Sequence, residues 1–365
     1  MGLSRKEIKN CKEELKELIN NTDDIEQKKD YLFYLYQVNT LDEDDENHHM
    51  SYSKKLRELE RIYHENKDLY QVLIDYNNSL SSELDNIKYL SDNYEELKKS
   101  FPKFKFTKKQ SIALARNFYH NIDPTFLNVF DNMLDKNTVS LKKKIAKDFT
   151  GLNYFIGGIN KNYIEIKKKG NYTDYLTIVH EVGHAVNNIY NPKAYFELNY
   201  FDELVSIFME LVAIYEGKNI FNKNLLVYEN TDNLVYYFDL IKTFNNHQKL
   251  IDIMYINQIN KFNKKFIKIV NNDMSYEKKD IKEIIDTNFY MDGDYAISYI
   301  MALELLYIYK HNRKEAIELL KELMYKLPCN NKVNEVSKYL KPNVHAKEET
   351  KEVIEEANHV LKKTL

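Results

Sequence analysis

The sequence predicts a mainly α, multi-helical protein with a small β-sheet just ahead of one particular helix. Three observations predict it. Only 8 glycines and 5 prolines occur among 365 residues, well under the roughly 12% the two contribute on average, so little interrupts long helices. Apolar residues recur three and four apart over long stretches, the period of one helix face. Gly151, Gly157, Gly158, Gly170 and Gly183, five of the 8 glycines, crowd into one window and bracket an alternating segment.

Residues 1 to about 100 read as wholly helical. Leu69, Leu73, Tyr76, Leu80, Leu84 and Ile87 form a packing seam. The seam holds for under three heptads, so an antiparallel helical lobe explains it better than a dimeric coiled coil. The acidic run at residues 42–46, beside His48 and His49, reads as a solvated interhelical loop, because nothing fixes those side chains in a convergent geometry. Phe101-Pro102 breaks the helices. The chain therefore divides into a helical N-terminal lobe, 1–100, and a region 101–365 that carries the motifs below. Asp123-Pro124 marks another helix start, with proline in the first turn.

Residues 162–167 alternate apolar and polar between glycines, like a half-buried strand of a small sheet or hairpin. Such a strand is either structural or an edge on which an extended peptide pairs. In the next helix Thr173 and Asp174 supply the start, Leu176 and Val179 an apolar stripe, and Asn191-Pro192 the stop. It carries His180-Glu181-Val182-Gly183-His184 at its middle. Gly183 costs a helix about 1 kcal/mol relative to alanine, which suggests that something passes close to the backbone there. A second helix over residues 201–215 carries Glu203, with Ser206 and Glu210 on a similar face. Further helices reach the C-terminus, interrupted at Asp292-Gly293-Asp294 and near Pro328 and Pro342.

The pentapeptide carries metal chemistry. His180 and His184 lie one turn apart on one helix face, so two imidazole nitrogens can converge on one ion. A catalytic zinc takes three protein ligands and keeps an open position, and a carboxylate commonly completes a two-histidine set. Glu203 is the expected third ligand. Glu181 points beside the metal, where it reaches a zinc-bound water, and Glu210 is expected to fix the tautomer of a ligand histidine. Its other reading is an exposed helix carboxylate.

Composition narrows the partners. A net charge of −3, from 53 basic and 56 acidic side chains, gives no basis for nucleic acid or an anionic membrane. No stretch approaches the 18 apolar residues of a transmembrane helix. Residues 1–6 lack the apolar core of a signal peptide, and Lys6 stands where a myristoylation signal needs Ser or Thr. Cys11 and Cys329 are far apart in sequence and suit a reducing, cytoplasmic setting with no disulfide.

Together these residues resemble the thimet oligopeptidase and oligoendopeptidase F family of zinc metallopeptidases, which joins a His-Glu-x-Gly-His helix to a Glu-x-x-Ser-x-x-x-Glu segment. The chain has the first at residues 180–184 and the second from Glu203 through Ser206 to Glu210. The passage from Tyr163 through Gly170 to Thr177 is also similar. The match spans roughly 150–305 and is weaker over about 25–150, where residues 31–35 and 126–130 echo family helices. The resemblance implies a two-lobed helical fold with a deep cleft, one zinc ion, and cleavage of short peptides. It also makes Tyr295 and Tyr299 candidates to stabilise the tetrahedral oxyanion. Three features depart from the family. The chain is shorter than usual for the family, which leads to the expectation that part of the N-terminal lobe is missing. A histidine often found before the tyrosine segment is absent, with Asn288 near its place, and a further tyrosine is replaced by Ala302.

The sequence thus reads as a zinc metalloendopeptidase that hydrolyses internal bonds of short oligopeptides, with Glu181 as base. Two alternatives remain open: a zinc carboxypeptidase or aminopeptidase, and a non-catalytic helical peptide-binding protein. Monomer and homodimer are both compatible with the sequence.

Overall fold

The computed structural model describes residues 5–22, 24, 27–28, 31–32, 34–35, 38, 51–99, 105–143, 145, 150–156, 159–190, 201–287, 289–326, 340 and 344–364. Residues 42–46 with His48 and His49, the Phe101-Pro102 break, Gly157, Gly158, the Asn191-Pro192 stop, Asn288, Pro328, Cys329 and Pro342 lie outside the described residues.

The expected class holds: mainly α with one small sheet. Helix α1 (Arg5–Asn21) is followed by α2 (Tyr52–Glu65), α3 (Lys67–Ser79), α4 (Leu84–Asp92) and α5 (Tyr94–Lys99). Next come α6 (Lys108–Ile122), α7 (Pro124–Asp135), strands β1 (Val139–Lys142), β2 (Gly151–Ile156) and β3 (Lys161–Lys167), and α8 (Tyr172–Tyr190). Helices α9 (Leu204–Glu216), α10 (Lys223–Ile256), α11 (Lys264–Met274) and α12 (Lys278–Asp286) follow. The chain ends in α13 (Phe289–His311), α14 (Arg313–Lys326) and α15 (Ala346–Thr364). No described helix is long and apolar enough to cross a membrane.

Contacts divide the chain into two compact units. One comprises Met1–Asn47, Lys103–Glu197 and Met324–Pro328, the other His48–Pro102, Leu198–Leu323 and Cys329–Leu365. The expected division into 1–100 and 101–365 follows the sequence, whereas each unit is assembled from three separate segments.

In the first unit β3 is central, parallel to β1 and antiparallel to β2. Helix α8 packs on β2 and β3, with α6 and α7 beside it. Two expectations for residues 162–167 need correction. The strand is buried from Asn162 to Ile166, not half-exposed, because neighbouring elements partner its polar positions: Lys142, itself exposed, pairs with Glu165, and Asn188 donates to Asn162. It also has a neighbour on each side, so the strand for edge pairing cannot be β3. The helix start expected at Asp123-Pro124 holds, and α6 has a cap of its own. Thr107 and Gln110 form a capping box at α6, and Asp123 caps α7 through Thr125 with Pro124 in the first turn.

In the second unit α9 is apolar on nearly every side, as befits a core helix, and it packs on α13. The long α10 lies against α3, α13 and α15. The expected seam is split. Leu69, Leu73, Tyr76, Leu80 and Ile87 are buried, but the chain turns through Ser81–Glu83 and leaves Leu84 40% exposed. Conversely, α13 runs unbroken through Asp292-Gly293-Asp294. Packing overrides the breaker signal there, since Asp294 is buried and bonded to Ser298 one turn on.

Candidate metal centre

Helix α8 is tied down where the motif sits. The turn from β3 into it needs Gly170, whose φ of +76° suits glycine. Asp174, 1% exposed, accepts from the amides of Lys169 at 2.7 Å and Gly170 at 2.8 Å. The carboxylate expected to cap the helix therefore holds the loop before it. Further along, Tyr119 of α6 donates to the carbonyl oxygen of Val179 at 2.6 Å. Burial pushes that tyrosine hydroxyl well above its ordinary pKa, so it remains a donor.

His180 and His184 are half-buried, with ring centroids 5.0 Å apart and planes at 78°. Glu181 is buried against β2. A Cβ built on Gly151 would lie 2.9 Å from Glu181 Cδ and 2.6 Å from Thr177 Cγ2, so the carboxylate occupies space that only glycine leaves there. Asn153 of β2 donates through Nδ2 to the carbonyl oxygen of Glu181 at 3.2 Å. Asn188 donates to Asn153 Oδ1 at 3.1 Å and to Asn162 Oδ1 at 3.0 Å.

Glu203, buried, immediately precedes α9 rather than lying within it. Its amide donates to Asp294 Oδ1 at 3.5 Å, and Ser298 Oγ donates to the same oxygen at 3.0 Å. Burial above all, then the charges of Glu203 and Asp202, holds the Asp294 carboxyl well above the usual range. Glu210 is half-buried and accepts from Asn233 Nδ2 at 3.1 Å. Tyr295 is half-buried, whereas Tyr299 is 1% exposed and stacked on Tyr237 at 4.2 Å.

Among the described residues, one group of side chains could hold a metal ion. A nitrogen of His180, a nitrogen of His184 and a carboxylate oxygen of Glu203 lie within 4.8 Å of one another. Two imidazoles and one carboxylate suit zinc and leave a coordination position open. The sequence pointed to these three side chains, which the structure brings together, and to Glu181, which is buried. It missed Asn153, Asn188 and Tyr119, and it gave Gly151 no task. The only sequence signal for Gly151 was its place in the glycine-dense window.

No family model and no curated protein matches the chain. Solved structures share its fold. A chain of Chlamydophila abortus assigned as a peptidase superposes with a TM-score of 0.61 at 15% identity, over 98% of this chain and 63% of that one. PZ peptidase A, solved with an inhibitor, gives 0.57 at 15% identity over 94% and 71%. A structure assigned as oligoendopeptidase F gives 0.54 at 13% identity over 80% and 58%. The chain thus has the fold of peptidases that include oligoendopeptidase F, and it spans just under two thirds of the first of them.

Proposed function

We propose that this chain is a zinc metalloendopeptidase acting on short oligopeptides. The observation that carries this reading is the donor set of His180, His184 and Glu203, whose ligand atoms lie within 4.8 Å of one another, with the buried carboxylate of Glu181 between the two histidines in sequence. Those three residues would hold the ion. A bound zinc supplies Lewis acidity toward water and the scissile carbonyl.

The remaining steps belong to the protein. Glu181 takes the proton of the attacking water and delivers it to the leaving amine. Glu210, with one oxygen held by Asn233, orients a ligand histidine through the other. Tyr295 is assigned to the oxyanion, because its ring is partly exposed. Tyr299, one turn on in the same helix, is enclosed against Tyr237. A cytoplasmic setting fits the reading, with Cys11 a buried thiol facing the Tyr163 hydroxyl.

The test is incubation of the purified protein with a mixed library of short peptides, read by mass spectrometry, with chelator and with zinc restored. Internal cleavage that stops with chelator, returns with zinc and is absent in Glu181→Gln supports the reading. Single residues released from the ends would indicate an exopeptidase. Absence of cleavage by protein carrying stoichiometric zinc would overturn the enzymatic reading.

A further inference from the structure

We infer that Gly151 and the asparagines Asn153, Asn162 and Asn188 position Glu181, an inference that rests on the reading of Glu181 as the base. Gly151 and Asn153 are two apart on β2, hence on one face of the strand, and both meet α8 at the same residue. At Gly151 the missing side chain makes room. Any Cβ would press on the Glu181 carboxyl, 2.9 Å from its Cδ, and on Thr177 Cγ2 at 2.6 Å. Both are ends of side chains, so alanine at this position displaces the carboxylate rather than the backbone.

At Asn153 the contact is a tether. Its Nδ2 donates to the main-chain oxygen of Glu181, and its Oδ1 accepts from Asn188. Asn188 stands seven residues, or two helical turns, after Glu181 on the same face. Its second hydrogen goes to Asn162 on β3. The strand-to-helix distance is therefore fixed at two points along α8. Asn162 and Asn188 are 4% and 6% exposed, and polar groups buried this deeply need such partners. Apolar residues would fill the same space, whereas the amide chain selects one spacing between β2 and the helix. On the far side Tyr119 holds the carbonyl of Val179, so the backbone is gripped on both sides of His180.

The experiment is a double-mutant cycle on the full chain. Gly151→Ala is made in the wild-type and Glu181→Ala backgrounds, and Tm is measured in chelator. Zinc content, kcat and KM are measured for Gly151→Ala and for Asn153→Ala, which introduces no clash. The expected result is a lower Tm for Gly151→Ala in the wild-type background and a clearly smaller loss in Glu181→Ala. Zinc content and KM stay near wild type while kcat falls about 100-fold, the scale of an ångström-size misplacement. Asn153→Ala lowers kcat in the same pattern. Equal Tm losses in the two backgrounds, or wild-type kcat in both variants, overturn the positioning role and leave the base reading intact. Peptide cleavage by Glu181→Gln at the wild-type rate, or none by the zinc-loaded parent, overturns the base reading and this inference with it.

Discussion

Glu181 and His180 adjoin in the chain, yet their losses should look different. Glu181→Gln keeps the shape of the buried side chain but cannot take a proton. It is expected to bind zinc as the parent does and to lose at least the 10²- to 10⁴-fold that a general base contributes. His180→Ala removes a ligand and should lose zinc first, with activity following the metal content. Zinc stoichiometry measured beside kcat separates the two. Tyr295→Phe should lower kcat by about 100-fold, as loss of one oxyanion donor does, with zinc content unchanged. Tyr299→Phe, altering a hydroxyl that is enclosed in the core, should leave kcat within a few-fold. A larger fall for Tyr299→Phe would transfer the oxyanion role to it. The pairing of His180 with His184 was legible in the sequence because helical spacing alone puts residues i and i+4 on one face. Gly151 and Asn153 were not, since their contacts depend on a strand register that pairs Gly151 with Ile166 and Asn153 with Ile164.

At the level of elements, the turn from β3 to α8 has the most to lose from one carboxylate. Asp174 is almost fully enclosed, and its two oxygens satisfy the amides of Lys169 and Gly170. Hydrogen bonds to a charged group contribute about 1.5–3 kcal/mol each, and a donor left buried without an acceptor costs a similar amount. Asp174→Ala should therefore destabilise the protein by about 3 kcal/mol, and Asp174→Asn, which retains one acceptor, by less. Denaturant midpoints give the size, and faster hydrogen exchange at Lys169 and Gly170 would locate the loss. Midpoints unchanged in Asp174→Ala would remove this turn as a determinant of helix position. Helices were the most legible elements, since the start signal at Asp123-Pro124 and the 3.6-residue period act locally. Two departures from the expected pattern involve partners distant in sequence. Residues 162–167 alternate, but Lys142 and Asn188 satisfy the polar positions from other elements. Gly293 lies in a helix because α9 packs along α13.

On the scale of the whole molecule, the class was legible from low glycine and proline content. The two units were not, because each draws on three segments, whereas composition and breaker signals divide a chain only into consecutive pieces. The second unit should also give the protein a specific sensitivity to acid. His247 of α10 is wholly buried, with Nε2 bonded to the Ile284 carbonyl at 2.6 Å and Nδ1 facing the Tyr70 hydroxyl at 3.1 Å. Burial lowers its pKa to about 4 from 6.5, against a smaller opposing effect of the Ile284 bond. Above pH 6.5 the ring is neutral both folded and unfolded, and the stability is complete. As pH falls from 6.5 toward about 4, the unfolded chain takes up a proton that the folded one refuses, so stability drops throughout that window. Below it both states are protonated and the loss is complete, about 3 kcal/mol for such a pKa difference. His247→Gln removes the titration, so its unfolding midpoint should depend less on pH between about 7 and 5, where most carboxylates remain charged. Measurements in chelator keep any metal bound at His180 and His184 from adding its own proton linkage. Parallel pH slopes for the parent and His247→Gln would show that the buried imidazole does not set the acid limit.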